Sequence, residues 1–290
     1  MSEVKIAVIG GSGLYQMPGL SDVTRLHIDT PFGAPSSDVA VGTIGGVRAA
    51  FLARHGDGHF IPPSDIPQRA NIYALKTLGV RYIIGVNACG SLREDYAPGH
   101  LVVPDQLFDY TTGRRERTFF DRGLVAHVSV AEPFDPTLSA HLVSTAASLG
   151  MTVHDRGVFL VEEGPRFATR AESRIFKAWG CDIIGMTTAP EAFLAREAEI
   201  AYAVLAHITD YDSWRDSEDP VTVEQVMQTF RGNIARVEAV LAKALATFDA
   251  DQASPAHYAL DGAVMTRHDR IDPELRTRLD PLTARALNRG

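Results

Sequence analysis

Tyr82-Ile83-Ile84-Gly85-Val86-Asn87-Ala88-Cys89-Gly90-Ser91-Leu92-Arg93 is the stretch whose reading decides the fold. Its first half is short, apolar and partly β-branched, and follows a helix-like segment, which predicts a buried strand over 81–87. N-A-C-G-S-L-R then reads as a loop that leaves free backbone N–H groups at the strand's carboxyl end. Ligands of open α/β sheets bind in that crevice. Two further apolar runs end in a similar way. Ile6-Ala7-Val8-Ile9 leads into Gly10-Gly11-Ser12-Gly13, and Ala203-Val204-Leu205-Ala206-His207-Ile208 into Thr209-Asp210-Tyr211-Asp212. Three strand ends carrying small, hydroxyl or carboxylate residues imply one polar cleft.

The rest of the chain supplies its frame. Val39–Ile44 and Val47–Ala53 flank Gly45-Gly46, a hairpin signal. Helical spacing covers 67–79, 137–150, 172–180 and 221–248, and a helix over 190–199 has Pro190 in its first turn. Short strands are expected at 101–103, 157–161, 182–186 and 201–208. This alternation specifies an α/β chain: three αβα layers, with a central mixed β-sheet flanked by helices. Residues 109–135 form a long polar loop with Arg114, Arg115, Arg117 and Arg122, and loops of that length are usually functional or intersubunit arms. Residues 1–248 read as one domain. After Phe248 Asp, Pro, Ala and Arg dominate, so 249–290 is read as a C-terminal extension, not a separate domain, lying outside the core.

Composition narrows the function. A net charge of −8 argues against nucleic acid as a partner, which calls for a basic face. Cys89 and Cys181 have no companions at metal-ligand spacing and read as reduced thiols. The chain runs directly into a strand, without a basic-then-apolar leader, and has no apolar run long enough for a membrane span. A cytoplasmic protein with no metal or organic cofactor is expected.

Four motifs carry chemistry. Arg54-His55 at a strand end suits phosphate: the guanidinium can fork two oxygens and the imidazole can donate a third bond. A plain surface pair is the alternative. Ser12 and Asn87 would add neutral donors. In Glu163-Gly164-Pro165-Arg166-Phe167 the carboxylate could hold sugar hydroxyls and Phe167 could stack on a base; alternatively Arg166 simply pairs with Glu172 and Phe167 is core. Asp210 and Asp212, two apart on an extended stretch, would face one side. One carboxyl could then keep a proton for a ring nitrogen, favoured by burial and by its neighbour's charge.

The segments Ile9–Leu14, Asp29–Ser36, Ala53–Gly56, Ala88–Arg93, Glu163–Phe167, Met186–Thr188 and Thr209–Asp212, in this order, resemble the trimeric purine nucleoside phosphorylase family. The resemblance covers residues 4 to about 247. It implies that phosphate, as co-substrate, attacks C1′ of a 5′-methylthioadenosine-like nucleoside and releases adenine, in methionine and purine salvage. It implies Ser12, Arg54, His55, Asn87 and Thr187 as phosphate ligands. Ala88, Phe167 and Met186 would line the sugar and base, and Val223 and Val226 would meet the 5′-substituent. Asp210 and Asp212 would read N7 and the 6-amino group, and His127 would reach a neighbouring subunit's site in a homotrimer. Asn87 stands where relatives often carry threonine or serine, and Ala168 where they often carry a hydroxyl. A nicotinamide-dependent oxidoreductase lacks its full glycine fingerprint here. A non-enzymatic nucleoside binder would not need the phosphate residues.

Overall fold

The computed structural model describes residues 3–11, 17–215 and 223–288, and an eleven-stranded mixed sheet lies at its centre. The strands are β1 (Ile6–Gly10), β2 (Ser21–Leu26), β3 (Val39–Ile44), β4 (Val47–Ala53), β5 (Tyr82–Ser91), β6 (Leu101–Val102), β7 (Gln106–Tyr110), β8 (Val153–His154), β9 (Val158–Glu162), β10 (Ile183–Gly185) and β11 (Ala201–Asp210). The helices are α1 (Gln68–Thr77), α2 (Pro136–Ser148), α3 (Arg170–Ala178), α4 (Thr188–Glu197), α5 (Val223–Thr247) and α6 (Pro273–Leu287). The main path through the sheet is β2-β3-β4-β1-β5-β10-β9-β7, while β11 pairs with β5 and β6.

Successive side chains of a strand point to opposite faces, and the buried residues sort accordingly. Ala7, Ile9, Ile83, Tyr202, Val204 and Ala206 join Ile72 of α1 and Leu194 of α4 in one apolar cluster. Their neighbours Ile6, Val8, Tyr82, Ile84, Ala203 and Leu205 join Leu142 of α2 and Leu241 of α5 in another. The three-layer αβα arrangement follows. The β3–β4 hairpin forms over Gly45 (φ 55) and Gly46 (φ 84), the two positive φ values that a twist-matched two-residue turn demands.

Three expectations need correction. The strand assigned to 81–87 does not stop at Val86 or Asn87: β5 continues to Ser91, and the supposed N-A-C-G-S loop is strand. Its small polar residues stay extended because β11 pairs with them in parallel, Asn87 opposite Ala206 and Gly90 opposite Asp210. β2, whose residues are almost all exposed, and the two-residue β8 gave no apolar alternation to read.

The C-terminal extension is not outside the core. Leu260, Ile271, Leu275, Leu279, Leu282 and Leu287 are buried in the same cluster as α1 and α4. Leu275, Leu279 and Leu282 are spaced for one face of a helix, and α6 presents that face to the body. Polar anchors reinforce it: Ser254 Oγ donates to Asp135 Oδ2 at 2.6 Å, and Tyr73 Oη to the Arg278 carbonyl at 3.1 Å. The third correction concerns 109–135. Tyr110 ends β7, so the loop starts later, and the tail holds it through an antiparallel bridge between Ala126 and Val264.

Leu279 has no exposed surface, so Leu279→Ala should lower the urea-unfolding free energy by about 2–5 kcal/mol. A loss below about 0.5 kcal/mol, the level of an ordinary surface change, would show that the tail is not part of the cooperative core.

Candidate active site

The register of β5 creates an opening. One edge of β5 pairs in parallel with β1 as far as Gly85, opposite Ile9, and antiparallel with β10 from Gly90 onward. Between them, Val86 to Cys89 have no strand partner on that edge among the described residues, and β1 and β4 end beside the gap at Gly10 and Ala53. The gap is a topological switch point, the place where open α/β sheets bind ligands. Ala88 is exposed there.

Arg54 follows β4 directly and closes the floor of this gap. Its side chain is 3% exposed and forks Glu191 of α4, Nε to Oε2 at 2.7 Å and Nη2 to Oε1 at 2.8 Å. Nη1 donates to the Val86 carbonyl at 3.0 Å and Nη2 to that of Ile9 at 3.2 Å. Tyr202 Oη donates to Glu191 Oε1 at 2.6 Å. A Cβ on Gly85 would lie 2.0 Å from that hydroxyl, so only glycine lets the tyrosine pass. The fork expected to grip phosphate is thus occupied by Glu191. Five guanidinium N–H groups against four bonds leave one Nη1 donor for another acceptor.

His55 is neutral. Its Nδ1–H donates to the Ile61 carbonyl at 2.8 Å and its ring stacks on His59 at 4.1 Å. Burial, together with the Arg54 charge and against the pull of that carbonyl, pushes it down to about 4. With Nδ1 committed, Nε2 of the neutral ring is an acceptor. It can receive the O–H of a protonated phosphate, whereas the donor role expected of the imidazole requires a second proton.

Across the gap Asn87 and Thr187 meet: Asn87 Nδ2 donates to Thr187 Oγ1 at 3.0 Å. The Thr187 carbonyl accepts from Gln68 Nε2, in the first turn of α1, at 3.2 Å. Among the described residues Asn87 Oδ1, Gln68 Oε1 and Thr188 Oγ1 are buried without a partner. Unpaired buried polar atoms are costly; two of these are acceptors and one a hydroxyl, so a ligand that both donates and accepts, such as a protonated phosphate, would satisfy them.

The acidic pair lies at the other end of the gap. Asp210 ends β11 after an irregularity in register, and its Oδ1 accepts from Asp212 N at 2.7 Å. Asp212 has φ 51, so a left-handed turn, not strand alternation, brings its carboxyl back beside Asp210. Both crowd Gly90, where a Cβ would be 3.0 Å from Asp210 Oδ1 and 3.2 Å from Asp212 Cβ. Burial pushes Asp212 up to about 6, against the Ser173 hydroxyl and with the help of the Asp210 charge. Glu162, at the end of β9, is pushed further, to about 8, by burial and then by Asp212.

Other candidates fare differently. Glu163 was read as a sugar ligand, but its carboxylate accepts from Ser64 Oγ (2.7 Å), Thr112 N and Oγ1 (both 2.6 Å) and Arg115 Nε (3.0 Å). Those bonds, against the effect of burial, hold it down to about 2. It is a latch. Arg166 and Glu172 do pair, at 2.7 and 2.8 Å, and Thr169 with Glu172 makes a capping box for α3. Phe167 is half-buried. Half-buried Met186 packs beside Gly164, and its carbonyl accepts from Arg115 Nη1 at 2.7 Å. His127 is exposed, with its backbone N–H on the Ala263 carbonyl at 2.9 Å. Ser12 and the side chains of Val223 and Val226 lie outside the described residues.

Sequence reasoning missed Glu191, Tyr202, Gln68, Glu162 and the inward turn of Arg115. A lone glutamate in the apolar run of α4 was the available signal for Glu191, and two consecutive glutamates closing a buried strand were the signal for Glu162. Among the described residues no group of three His, Cys, Asp or Glu could hold a metal ion, and no helix is long and apolar enough to cross a membrane.

Glu162 gives a test through pH. The native protein keeps its proton to about pH 8, whereas the unfolded chain releases it near the ordinary 4.5. The folded state binds more protons between those values, so stability falls as pH rises through that window. Glu162→Gln should flatten the fall above pH 6 in thermal unfolding followed from pH 5 to 8.5; a profile unchanged from wild type would place an ionised, solvated carboxylate there instead.

The family model of the phosphorylase superfamily matches residues 5–246. The chain is 50% identical over 285 residues to the S-methyl-5′-thioadenosine phosphorylase of Chloroflexus aurantiacus, covering 98% of this chain and 99% of that one. It is 53% identical over 239 residues to the protein of the same name from Hyperthermus butylicus, with 82% and 86% covered. Among solved structures, a methylthioadenosine phosphorylase sourced from an Antarctic soil metagenomic library superposes with a TM-score of 0.92 at 45% identity, covering 97% and 99%. The methylthioadenosine phosphorylase of Schistosoma mansoni in complex with adenine gives 0.82 at 38% identity, covering 92% and 100%. The sheet, the switch-point gap and the motifs along it therefore have one common origin: the chain belongs to the phosphorylase superfamily.

Proposed function

We propose that this protein cleaves S-methyl-5′-thioadenosine by phosphorolysis, giving adenine and 5-methylthioribose 1-phosphate. The carrying observation is the polarity of the gap: buried carboxyls at the Gly90 end, and an amide, hydroxyls and a guanidinium at the Asn87 end. The names of relatives up to 53% identical support the substrate.

A phosphate oxygen attacks C1′ while the C1′–N9 bond breaks and its electron pair moves into the purine. Ser12, His55, Asn87, Thr187 and the remaining Arg54 N–H hold the nucleophile, so attack is intramolecular in effect. Asp210 faces the leaving base and, when protonated, supplies N7. Thr209 Oγ1 donates to Asp210 Oδ2 at 2.7 Å and lies 3.2 Å from the Cys89 carbonyl, which fixes the orientation of that carboxyl. Ala88, Phe167, Met186, Val223 and Val226 line the nucleoside. A cytoplasmic homotrimer, with His127 completing a neighbour's site, belongs to the same reading.

Adenine release should require inorganic phosphate, and Thr187→Val should raise the KM for phosphate about tenfold or more while kcat for the nucleoside falls less. Hydrolysis at the same rate without phosphate would overturn the reading. For the base, wild type should prefer 5′-methylthioadenosine over 5′-methylthioinosine by about a hundredfold in kcat/KM, and Asp210→Asn should narrow or reverse that ratio. An unchanged ratio would remove Asp210 from base recognition.

The shared site has its own check. Mixing inactive His127→Ala with inactive Asp210→Ala subunits should restore part of the activity once exchange is verified. No recovery would confine each site to one chain.

A further inference from the structure

Of the four arginines in the long loop after β7, only Arg115 turns inward. Arg114, Arg117 and Arg122 are exposed, whereas the Arg115 side chain is 2% exposed. A buried guanidinium is costly unless its N–H groups find acceptors, and here all five do. Nε donates to Glu163 Oε1 at 3.0 Å. Nη1 donates to the carbonyls of Met186 and Ala189 at 2.7 and 2.6 Å. Nη2 donates to the Glu163 carbonyl at 2.8 Å and, more weakly, to that of Glu162 at 3.5 Å. Apart from the Glu163 carboxylate these acceptors are backbone carbonyls, so what the group fixes is main chain.

That main chain is the turn carrying Thr187. Met186 and Ala189 bracket Thr187 and Thr188, and Ala189 departs from helical geometry inside α4 (φ −105, ψ 132). Its carbonyl is therefore not directed along the helix, and Arg115 takes it. The Thr187 carbonyl is taken by Gln68 Nε2 at 3.2 Å. Side chains thus hold the carbonyls of Met186, Thr187 and Ala189. With the turn fixed, Thr187 Oγ1 accepts from Asn87 Nδ2 at 3.0 Å, which leaves its own hydrogen for a ligand. Lysine is no substitute for Arg115. Three N–H groups on one nitrogen do not bridge the carbonyls of Glu163 and Ala189 as a rigid fork does. The Glu163 carboxylate, held also by Ser64 and Thr112, sets the angle at which that fork enters.

The structure assigns Arg115 a further role, as the positioning residue of the phosphate site: it acts through Thr187, by holding the carbonyls on either side of the Thr187-Thr188 turn. The assignment rests on the reading that phosphate binds at Thr187. Arg115 has no N–H left for a ligand, so it does not grip the anion itself, although an arginine beside a phosphate site invites that interpretation. Its effect on affinity is indirect and depends on the hydroxyl it places.

A double-mutant cycle on phosphate affinity is the test, read calorimetrically on the full chain and as the KM for phosphate in turnover. Arg115→Met should weaken phosphate about tenfold or more in the wild-type background. With Thr187→Val already present it should weaken phosphate by less than about threefold, because the group it positions is gone. Arg115→Lys keeps the charge and three donors; it should lose less and show the same non-additivity, so the cycle stands even where Arg115→Met fails to fold. A merely loosened fold lowers the active fraction, and kcat with it, in both backgrounds alike and does not give this pattern. Losses that multiply across the two sites, or wild-type affinity in Arg115→Met, would overturn the role of Arg115 and leave the phosphate reading intact. Undiminished affinity in Thr187→Val would instead remove Thr187 from the phosphate site, and the assignment with it.

Discussion

The buried pair of Arg54 and Glu191 holds the structure's polar centre together. Breaking such a pair by removing one partner typically costs about 3–5 kcal/mol, although replacing both with apolar groups is often neutral. Its value is therefore geometric. One guanidinium ties the end of β4 to the carbonyls of Ile9 and Val86 and to α4. The first residue beyond β4, the end of β1, the middle of β5 and α4 are fixed relative to one another by a single planar group. Tyr202 completes the pair from β11, and the bare Gly85 makes room for it.

That anchoring gives the gap along β5 its asymmetry. Near Arg54, whose charge Glu191 balances, the unpaired groups are amide oxygens and a hydroxyl. At Gly90 the backbone is bare, and two carboxyls pack where a side chain would sit. Burial raises Asp212 and Glu162, so this end favours protonated acids while the other suits a protonated phosphate. Groups whose environments push their proton affinities apart are what acid–base division of labour needs, and here one strand separates them.

Much of this was legible in the sequence because it lies in local pattern. Alternation gave the layers, Gly45-Gly46 gave the hairpin, and the small or acidic strand ends gave Asn87, Asp210 and Asp212. What was not legible depends on partners distant in the chain. Asn87–Ser91 looks like a loop because its residues are small; only β11 and β10 on either side make it a strand. Arg54 reads as a phosphate fork until Glu191, 137 residues away, takes the fork. Glu163 reads as a sugar ligand until Ser64, Thr112 and Arg115 arrive to fill its lone pairs. The tail's Asp, Pro and Arg content hid Leu275, Leu279 and Leu282, whose helical spacing was the better signal.

The position of the tail bears on the gap. α1 starts at Gln68, bonded to the Thr187 carbonyl, and carries Lys76 in its last turn, at a cavity lined also by Tyr258 and Arg285 of the tail. α4 starts at Thr188 beside the same carbonyl, and the chain leaving it reaches Glu199 (φ 56), which Arg285 of α6 grips. Both helices thus run from the polar groups at Asn87 to the tail, and both are packed in one apolar cluster with α6. A close-packed interior has little room for one end of a helix to shift while the other stays. Docking of α6 therefore constrains the far ends of the two helices whose near ends define the proposed phosphate site, and a segment remote from the chemistry belongs to its frame.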